Sequence, residues 1–110
     1  MTATNWKLLD AEMLQKRYPG RFLRPSNEKL LRMLVRDRFV KMVFQSSNDK
    51  PGFIGIEYLW VRLIGYQDGM YNGRLVNQPE VIQTLQKGSI IQFRPEHVAE
   101  FGFPQVQSRA

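Results

Sequence analysis

The acid–base chemistry open to this sequence starts with its single imidazole, His97. Histidine is the side chain whose ordinary pKa lies nearest to neutral pH, so it is the usual general acid or base. Glu96 and Glu100 lie close to His97 in the sequence, and either carboxylate could orient its ring. Glu100 is three residues away, however, which is an ordinary spacing for neighbours on a helix. We therefore expect a structural or surface role for His97 and keep an enzyme built on it as the second alternative.

Other catalytic and metal chemistries lack the residues that they require. The chain has no cysteine, which excludes a thiol nucleophile, a disulfide framework and a thiolate metal site. One histidine is too few for a histidine-based metal site, and the ten acidic residues include no recognisable catalytic pair. The glycine-rich motif of phosphate loops is also absent. We therefore expect no catalysis, no cofactor and no metal.

Positive charge is distributed unevenly along the chain. Residues 1–50 hold 11 of the 16 lysines and arginines beside 5 of the 10 acidic residues, so they carry the whole net charge of +6. Within this half, Lys29, Arg32 and Arg36 are spaced by three and four, which places them on one face if a helix runs that far. Such a basic stripe attracts a polyanion or an acidic protein surface, but it can equally be a solvated face.

A second set of candidate binding residues follows one predicted strand. Tyr58, Arg62 and Tyr66 combine aromatic and cationic groups on alternate positions, as platforms for single-stranded nucleic acid do. A helix packed on the sheet could instead cover the same three side chains. Trp60 lies on the same side of this strand as Tyr58 and Arg62. We nevertheless expect it to be buried, because the centre of a strand is usually a core position.

Two helices are predicted before residue 35. The apolar residues of Asn5–Tyr18 recur at helical spacing until Pro19-Gly20 ends the helix. Ser26 is placed to cap a second helix by accepting a hydrogen bond from a backbone N–H. The residues that we expect this second helix to turn toward the core are Leu30, Leu31, Met33 and Leu34.

After residue 38 the pattern changes to that of strands, which are predicted over Phe39–Phe44, Ile56–Tyr66, Met70–Leu75 and Ser89–Phe93. Asp68-Gly69 predicts a tight hairpin turn, since glycine takes positive φ freely and aspartate tolerates it. The pattern leaves Glu80–Leu85 open between a short helix and an extended crossing. A loop is predicted over Ser46–Gly52, one helical turn opened by Pro95 is predicted over Arg94–Phe101, and the tail from Gly102 onward is polar enough to fray.

We predict an α+β fold in one domain, residues 1–110, with a basic helical segment at 1–34, a β-rich module at 35–101 and a tail at 102–110. The helical segment should pack on a strongly bent antiparallel sheet resembling a small SH3-like barrel, because curling buries one face and removes exposed edges. The sequence has neither an apolar run of membrane-spanning length nor the pattern of a secretory signal. We therefore expect a cytoplasmic protein with no membrane partner.

Four short motifs carry a resemblance to a known family. They are Val40-Lys41-Met42-Val43-Phe44, Trp60-Val61, Gly73-Arg74-Leu75-Val76-Asn77-Gln78-Pro79, and Leu85-Gln86-Lys87-Gly88-Ser89-Ile90-Ile91-Gln92-Phe93. In this order, over about residues 35–101, they resemble the YegJ-like, DUF2314-type family of small bacterial domains of unknown function. Ser89 and Gln78 stand where such domains usually have acidic residues. The resemblance implies a β-rich module without a known catalytic set.

Together these features favour a non-catalytic binding module. We expect its partner to be another protein, in an accessory or immunity-like role by analogy, with the basic N-terminal half as the contact surface. The first alternative is nucleic acid, bound at most at micromolar strength and with strong salt dependence. That limit follows because charge supports only nonspecific binding and the sequence has no base-reading motif.

Overall fold

The computed structural model describes residues 6–46 and 55–102. Two short helices precede most of the sheet, and one turn of 3₁₀ helix precedes the last strand. The elements in chain order are β1 (Trp6–Leu8), α1 (Ala11–Arg17), α2 (Asn27–Met33), β2 (Phe39–Ser46), β3 (Gly55–Gln67), β4 (Met70–Leu75), β5 (Ile90–Phe93), the 3₁₀ turn (Pro95–His97) and β6 (Val98–Gly102). Of the predicted loop 46–52 and the predicted tail 102–110, only Ser46 and Gly102 are described, and they are the last residues of β2 and β6; the rest lies outside the described residues.

A curled antiparallel sheet organises these elements. β1 to β5 are neighbours in chain order, and β6 pairs with β2. β3 lies along one edge of β2, while β1 and β6 share the other edge, opposite 44–46 and 39–42 respectively. The sheet forms a half-barrel, which confirms the predicted α+β class and the small barrel-like fold. The four predicted strands are confirmed, and β1 is additional to them. The helical turn predicted over Arg94–Phe101 is confirmed only for Pro95–His97, because Val98 to Phe101 belong to β6, which pairs with β2.

The main hydrophobic core covers one side of the sheet, here called the inner face. Leu30 of α2 and Leu34, which directly follows the helix, close this core. Leu31 and Met33 were expected to join them, but that prediction is wrong: Leu31 is 51% exposed, and Met33 is half-buried and does not pack in this core. The sheet residues buried most completely on the inner face are Val40, Met42, Phe44, Val61, Ile91, Phe93 and Val98.

A smaller core lies on the opposite side of the sheet, here called the outer face. It consists of Ala11, Phe22, Val43 and Ala99, with Leu9 and Leu14 packed against it. The N-terminal segment therefore covers part of the outer face, while α2 covers the inner face. The helical part of the chain packs on the sheet as predicted, but it divides between the two sides.

The first helix is shorter than predicted, because residues 6–8 form a strand. β1 pairs with the end of β2, and the ring of Trp6 packs on Phe44 with 5.5 Å between ring centroids. Asp10 then caps α1, since its Oδ1 accepts a hydrogen bond from the backbone N–H of Met13 at 2.9 Å. Residues 6–8 thus form a strand paired with the edge of β2, although the spacing of their apolar side chains is typical of a helix.

The predicted Asp68-Gly69 turn joins β3 to β4, with φ of 55° at Asp68 and 81° at Gly69. These values confirm the tight hairpin. Pairing along the hairpin contains one irregularity: Leu63 lies opposite Gly73, but Gly65 lies opposite Asn72. Ile64 is therefore an extra residue in β3, which makes a β-bulge and reverses the side-chain alternation beyond it.

The undecided segment Glu80–Leu85 is neither a helix nor a strand. It is an irregular crossing fixed to β3 by the Glu57 carboxylate, which accepts hydrogen bonds from the backbone N–H groups of Glu80 (2.6 Å) and Ile82 (3.2 Å). Ile82 and Leu85 from this segment are buried in the main core. The carboxylate oxygens of Glu57 thus accept hydrogen bonds from backbone N–H groups that, in a regular strand, would bond to a neighbouring strand.

Candidate binding surface

The outer face carries the surface that best matches the predicted binding residues. The register places Lys41 beside Trp60 on β3 and beside Glu100 on β6. Tyr58 and Arg62 lie two residues to either side of Trp60, so they share its side of the strand. We call this surface the outer-face platform and define it by its residues Lys41, Tyr58, Trp60, Arg62 and Glu100.

Trp60 lies at the centre of the platform and is half-buried. The expectation that it belongs to the core is wrong, because its neighbours Leu59 and Val61 occupy the inner face and the alternation turns Trp60 outward. Lys41 Nζ lies 5.2 Å from the ring centroid and 3.5 Å from Glu100 Oε1. On the other side, a Cβ atom at Gly102 would come within 3.1 Å of the indole ring. The ring is therefore held between Lys41 and β6.

Tyr58 is held by the segment that follows α1. Arg21 Nη2 donates a hydrogen bond to the Tyr58 hydroxyl at 2.7 Å, and the Phe22 ring meets Tyr58 edge-on at 6.2 Å. This hydrogen bond raises the pKa of Arg21, so the guanidinium stays charged. An open groove of about 560 Å³ lies here, and it is lined by Tyr18, Pro19, Gly20, Arg21, Phe22, Lys41, Tyr58 and Glu100.

Arg62 is fixed by an ion pair with Asp37. Its Nε and Nη2 both contact Asp37 Oδ1, at 3.0 and 2.7 Å. Asp37 has φ of 71°, and its backbone N–H donates to the Leu63 carbonyl at 2.7 Å. The turn before β2 thus brings a carboxylate to the end of the platform.

Tyr66 does not belong to the platform, although the sequence pattern grouped it with Tyr58 and Arg62. The bulge at Ile64 turns Tyr66 to the inner face, where its ring lies 4.6 Å from Tyr71, and Tyr71 stacks on Phe93 at 5.7 Å. Tyr66 is 61% exposed because it stands at the tip of the hairpin, beyond the core. The predicted three-residue set is therefore split between two faces of the sheet.

The predicted basic stripe is also divided. α2 ends at Met33, so Lys29 and Arg32 lie on the helix while Arg36 lies in the turn before β2. The helix stops here because Leu34 has a ψ of 78°, outside the helical range. Arg32 lies 3.7 Å from Glu28, and all three basic side chains are exposed. They form no single face.

His97 has a structural contact in the turn that starts β6. Its Nδ1 accepts a hydrogen bond from the backbone N–H of Arg94 at 3.0 Å, and its own backbone N–H donates to the Arg94 carbonyl at 3.0 Å. An accepting Nδ1 requires the ring to be neutral, with its proton on Nε2. Burial lowers the pKa of His97, which favours the same form. This arrangement agrees with the structural role expected for His97.

The free energy of unfolding should decrease as the pH falls below 6.5, the ordinary pKa of histidine. The folded protein binds the His97 proton more weakly than the unfolded chain does, so protonation favours unfolding. His97→Asn keeps an acceptor near Arg94 but cannot titrate, and it should show a smaller decrease. Chemical denaturation from about pH 7.5 to about pH 5 measures both slopes. Equal slopes for the two proteins would contradict the assignment.

Metal-binding clusters and membrane-spanning helices are both absent from the residues that the structure describes. Within residues 6–46 and 55–102, no three histidine, aspartate or glutamate side chains converge in a way that could hold a metal ion. Neither α1 nor α2, nor the 3₁₀ turn, has the length and apolar character of a membrane-spanning helix.

Comparison with known families matches residues 20–108 to the family described as "Uncharacterized protein conserved in bacteria (DUF2314)". The chain is a member of the DUF2314 family. The match confirms the resemblance seen in the motifs and extends it on the N-terminal side, from residue 35 to residue 20. The DUF2314 region thus includes α2, the connector before it and every residue of the platform. No curated protein and no solved structure matches the chain.

Several groups that complete the platform have no recognisable signal in the sequence. Lys41 and Glu100 are distant in the chain and meet only through the pairing of β2 with β6. Arg21 and Asp37 come from connecting segments whose paths have no periodic pattern. Alternation in the sequence could assign Tyr58 and Arg62 to one side of a strand, but only the register supplies their neighbours.

Proposed function

We propose that this DUF2314 domain is a non-catalytic module that binds another protein through the outer-face platform. The observation that carries the proposal is a half-exposed pair of aromatic rings, Tyr58 and Trp60, set among cations that are already fixed in place. Tryptophan, tyrosine and arginine are the residues most enriched at the energetic centres of protein interfaces. Their occurrence together on a strand surface supports a protein contact.

Fixed side chains support the same proposal on energetic grounds. A flexible side chain loses rotamer freedom when it is buried in an interface, which costs about 0.5–1.5 kcal/mol for each group. In the platform, Arg21 restrains Tyr58, Lys41 and Gly102 confine Trp60, and Asp37 restrains Arg62. Much of this cost is therefore already met in the unbound protein.

Nucleic acid is the alternative, and the net charge of +6 favours it. The platform itself favours protein, because its two central cations face carboxylates: Lys41 lies 3.5 Å from Glu100 and Arg62 lies 2.7 Å from Asp37. A phosphate would have to compete with these carboxylates and would be repelled by them. Mixed charges beside aromatic rings suit a protein surface that offers both donors and acceptors.

Photocrosslinking in the source bacterium tests the proposal without altering the platform. A benzophenone amino acid replaces Arg74, which is exposed and lies opposite Arg62 on β4, and a control chain carries it at exposed Gln83. We expect a discrete protein adduct from position 74 that resists nuclease and is absent from position 83. Adding Arg62→Ala should abolish the adduct, whereas Arg94→Ala, at an exposed arginine outside the platform, should leave it.

Three outcomes would overturn the proposal. The first is no protein adduct from position 74, and the second is an adduct that nuclease removes, which would promote nucleic acid to the partner. The third is an adduct that survives Arg62→Ala as well as it survives Arg94→Ala. Circular dichroism of each variant shows whether a lost adduct reflects lost binding rather than lost structure.

A further inference from the structure

A second groove lies on the other side of β6 and has a different charge pattern. It has a volume of about 390 Å³ and is lined by Leu23, Arg24, Pro25, Lys29, Met33, Arg38 and Phe101. We call it the α2 groove. Three of its lining residues are cationic and none is acidic. In contrast, the groove beside Tyr58 includes Glu100. A third groove, which Pro95 helps to line, includes Glu12 and Glu96.

The walls of the α2 groove combine apolar surface with charge. Leu23 is 84% exposed, and Met33 and Phe101 are half-buried. Leaving a leucine in water forgoes the roughly 1.5–3 kcal/mol that its full burial would provide. Single exposed apolar residues are common, but here Leu23 stands beside two further apolar side chains and a proline. The groove therefore offers a place for a large apolar side chain.

The three cations differ in their availability. Arg24 is committed to the fold, since its Nε and Nη2 donate to the carbonyls of Val98 (2.6 Å) and Pro95 (3.0 Å). The Arg38 guanidinium lies over the Phe101 ring, 5.3 Å from its centroid, and keeps its outward N–H groups. The Lys29 ammonium forms no ion pair with any described residue. Lys29 and Arg38 thus remain able to bind an anion beside the apolar walls.

The cationic and apolar side chains that line the α2 groove indicate the chemistry of a ligand that would fit it. We propose that the α2 groove binds an acidic peptide segment of the protein partner, anchored by one large apolar side chain. This inference rests on the proposed function, because it assumes that the module binds protein. It also fits the geometry, since Glu100 on the platform and Phe101 in the groove are consecutive residues of β6 and point to opposite sides. A partner at the edge of β6 can reach both surfaces.

Peptide is favoured over nucleic acid by the character of the groove. Base stacking requires an open aromatic face, but Arg38 covers the ring of Phe101. The apolar walls give no advantage to a phosphate backbone, whereas they favour an aliphatic or aromatic side chain. Carboxylates flanking such a side chain would meet Lys29 and Arg38.

Selection from a displayed library of random dodecapeptides tests the inference on the isolated full chain. We expect the selected peptides to be acidic and to share one leucine, isoleucine, methionine or aromatic residue. Fluorescence anisotropy of a selected peptide should show affinity reduced by about tenfold or more in Lys29→Glu/Arg38→Glu. Leu23→Asp should cause a similar loss, while Lys87→Glu, at an exposed lysine outside the groove, should change affinity little.

Selected peptides without an acidic bias would overturn the inference, as would affinities that the charge reversal leaves unchanged. Preferential binding to vesicles of anionic lipid that excludes the peptide would assign the groove to a membrane surface instead. Failure here is distinguishable from failure of the proposed function, because photocrosslinking at position 74 does not depend on the α2 groove. If the adduct forms but no peptide binds, only the inference about the α2 groove is refuted. If neither is observed, the proposed protein-binding function is refuted as well.

Discussion

Gly73→Ala should lower the free energy of unfolding by about 3 kcal/mol, at the upper end for overpacking, or should prevent folding. Gly73 is buried in β4 between Leu63 on β3 and Ile91 on β5. A Cβ atom there would collide with Val61 Cγ1 and would lie 3.1 Å from the Arg62 carbonyl oxygen. It would also lie 3.4 Å from the ring of Phe93. Backbone on one side and packed core on the other leave the new methyl no direction in which to move.

Gly65→Ala is the matched control, because Gly65 also lies in the hairpin but no atom stands within 4 Å of its Cβ position. Its free energy of unfolding should change by no more than about 0.5 kcal/mol. Adding Val61→Ala to Gly73→Ala removes the colliding methyl group, so the double variant should be more stable than the sum of the single effects predicts. Urea denaturation measures the unsubstituted protein, the three single variants Gly73→Ala, Gly65→Ala and Val61→Ala, and the double variant. Equal stability of Gly73→Ala and Gly65→Ala would contradict the steric argument.

Arg24→Met should lower the free energy of unfolding by about 1.5–3 kcal/mol, the range for a hydrogen bond to a charged group. The Arg24 guanidinium joins the connector before α2 to the start of β6 through the carbonyls of Val98 and Pro95. Burial lowers the pKa of Arg24, which shows that the charge is partly withdrawn from water. Methionine keeps much of the apolar stem but leaves both carbonyls without this donor.

Arg17→Met serves as the control, since Arg17 is exposed at the end of α1 and makes no ion pair or side-chain hydrogen bond among the described residues. It should change stability little. Arg24→Lys should fall between the two, because one ammonium keeps the charge but lacks the fork that reaches two carbonyls together. Thermal unfolding distinguishes the three variants. Equal losses for Arg24→Met and Arg17→Met would show that the two carbonyls do not need this side chain.

Local patterns predicted the parts of the fold that depend on neighbouring residues in the chain. The alternation of β2 and β3, the Asp68-Gly69 turn and the Ser26 cap all require only a few consecutive residues. The start of α1 was misplaced because β1 exists only through its pairing with β2, more than thirty residues later. No local pattern distinguishes that short strand from the first turn of a helix.

Local sequence patterns likewise predicted only part of the candidate site. Tyr58 and Arg62 were correctly placed on one side of β3, since no bulge separates them. Arg36 was separated from Lys29 and Arg32 because α2 ends at Met33, where the backbone of Leu34 leaves the helical range, and helical spacing does not show that end. Lys41 and Glu100 join the platform through register, and register is a property of the folded sheet rather than of either segment.

The extra residue at Ile64 makes the hairpin sensitive to insertions and deletions. Upstream of it, β3 presents Tyr58, Trp60 and Arg62 outward, and downstream it presents Tyr66 inward. Insertion of one residue in β4 between Asn72 and Gly73, opposite Ile64, would restore simple alternation and turn Tyr66 to the outer face, with no substitution in the platform itself. A change in strand length among related chains would therefore alter the outer face beside the platform while every platform residue stayed the same.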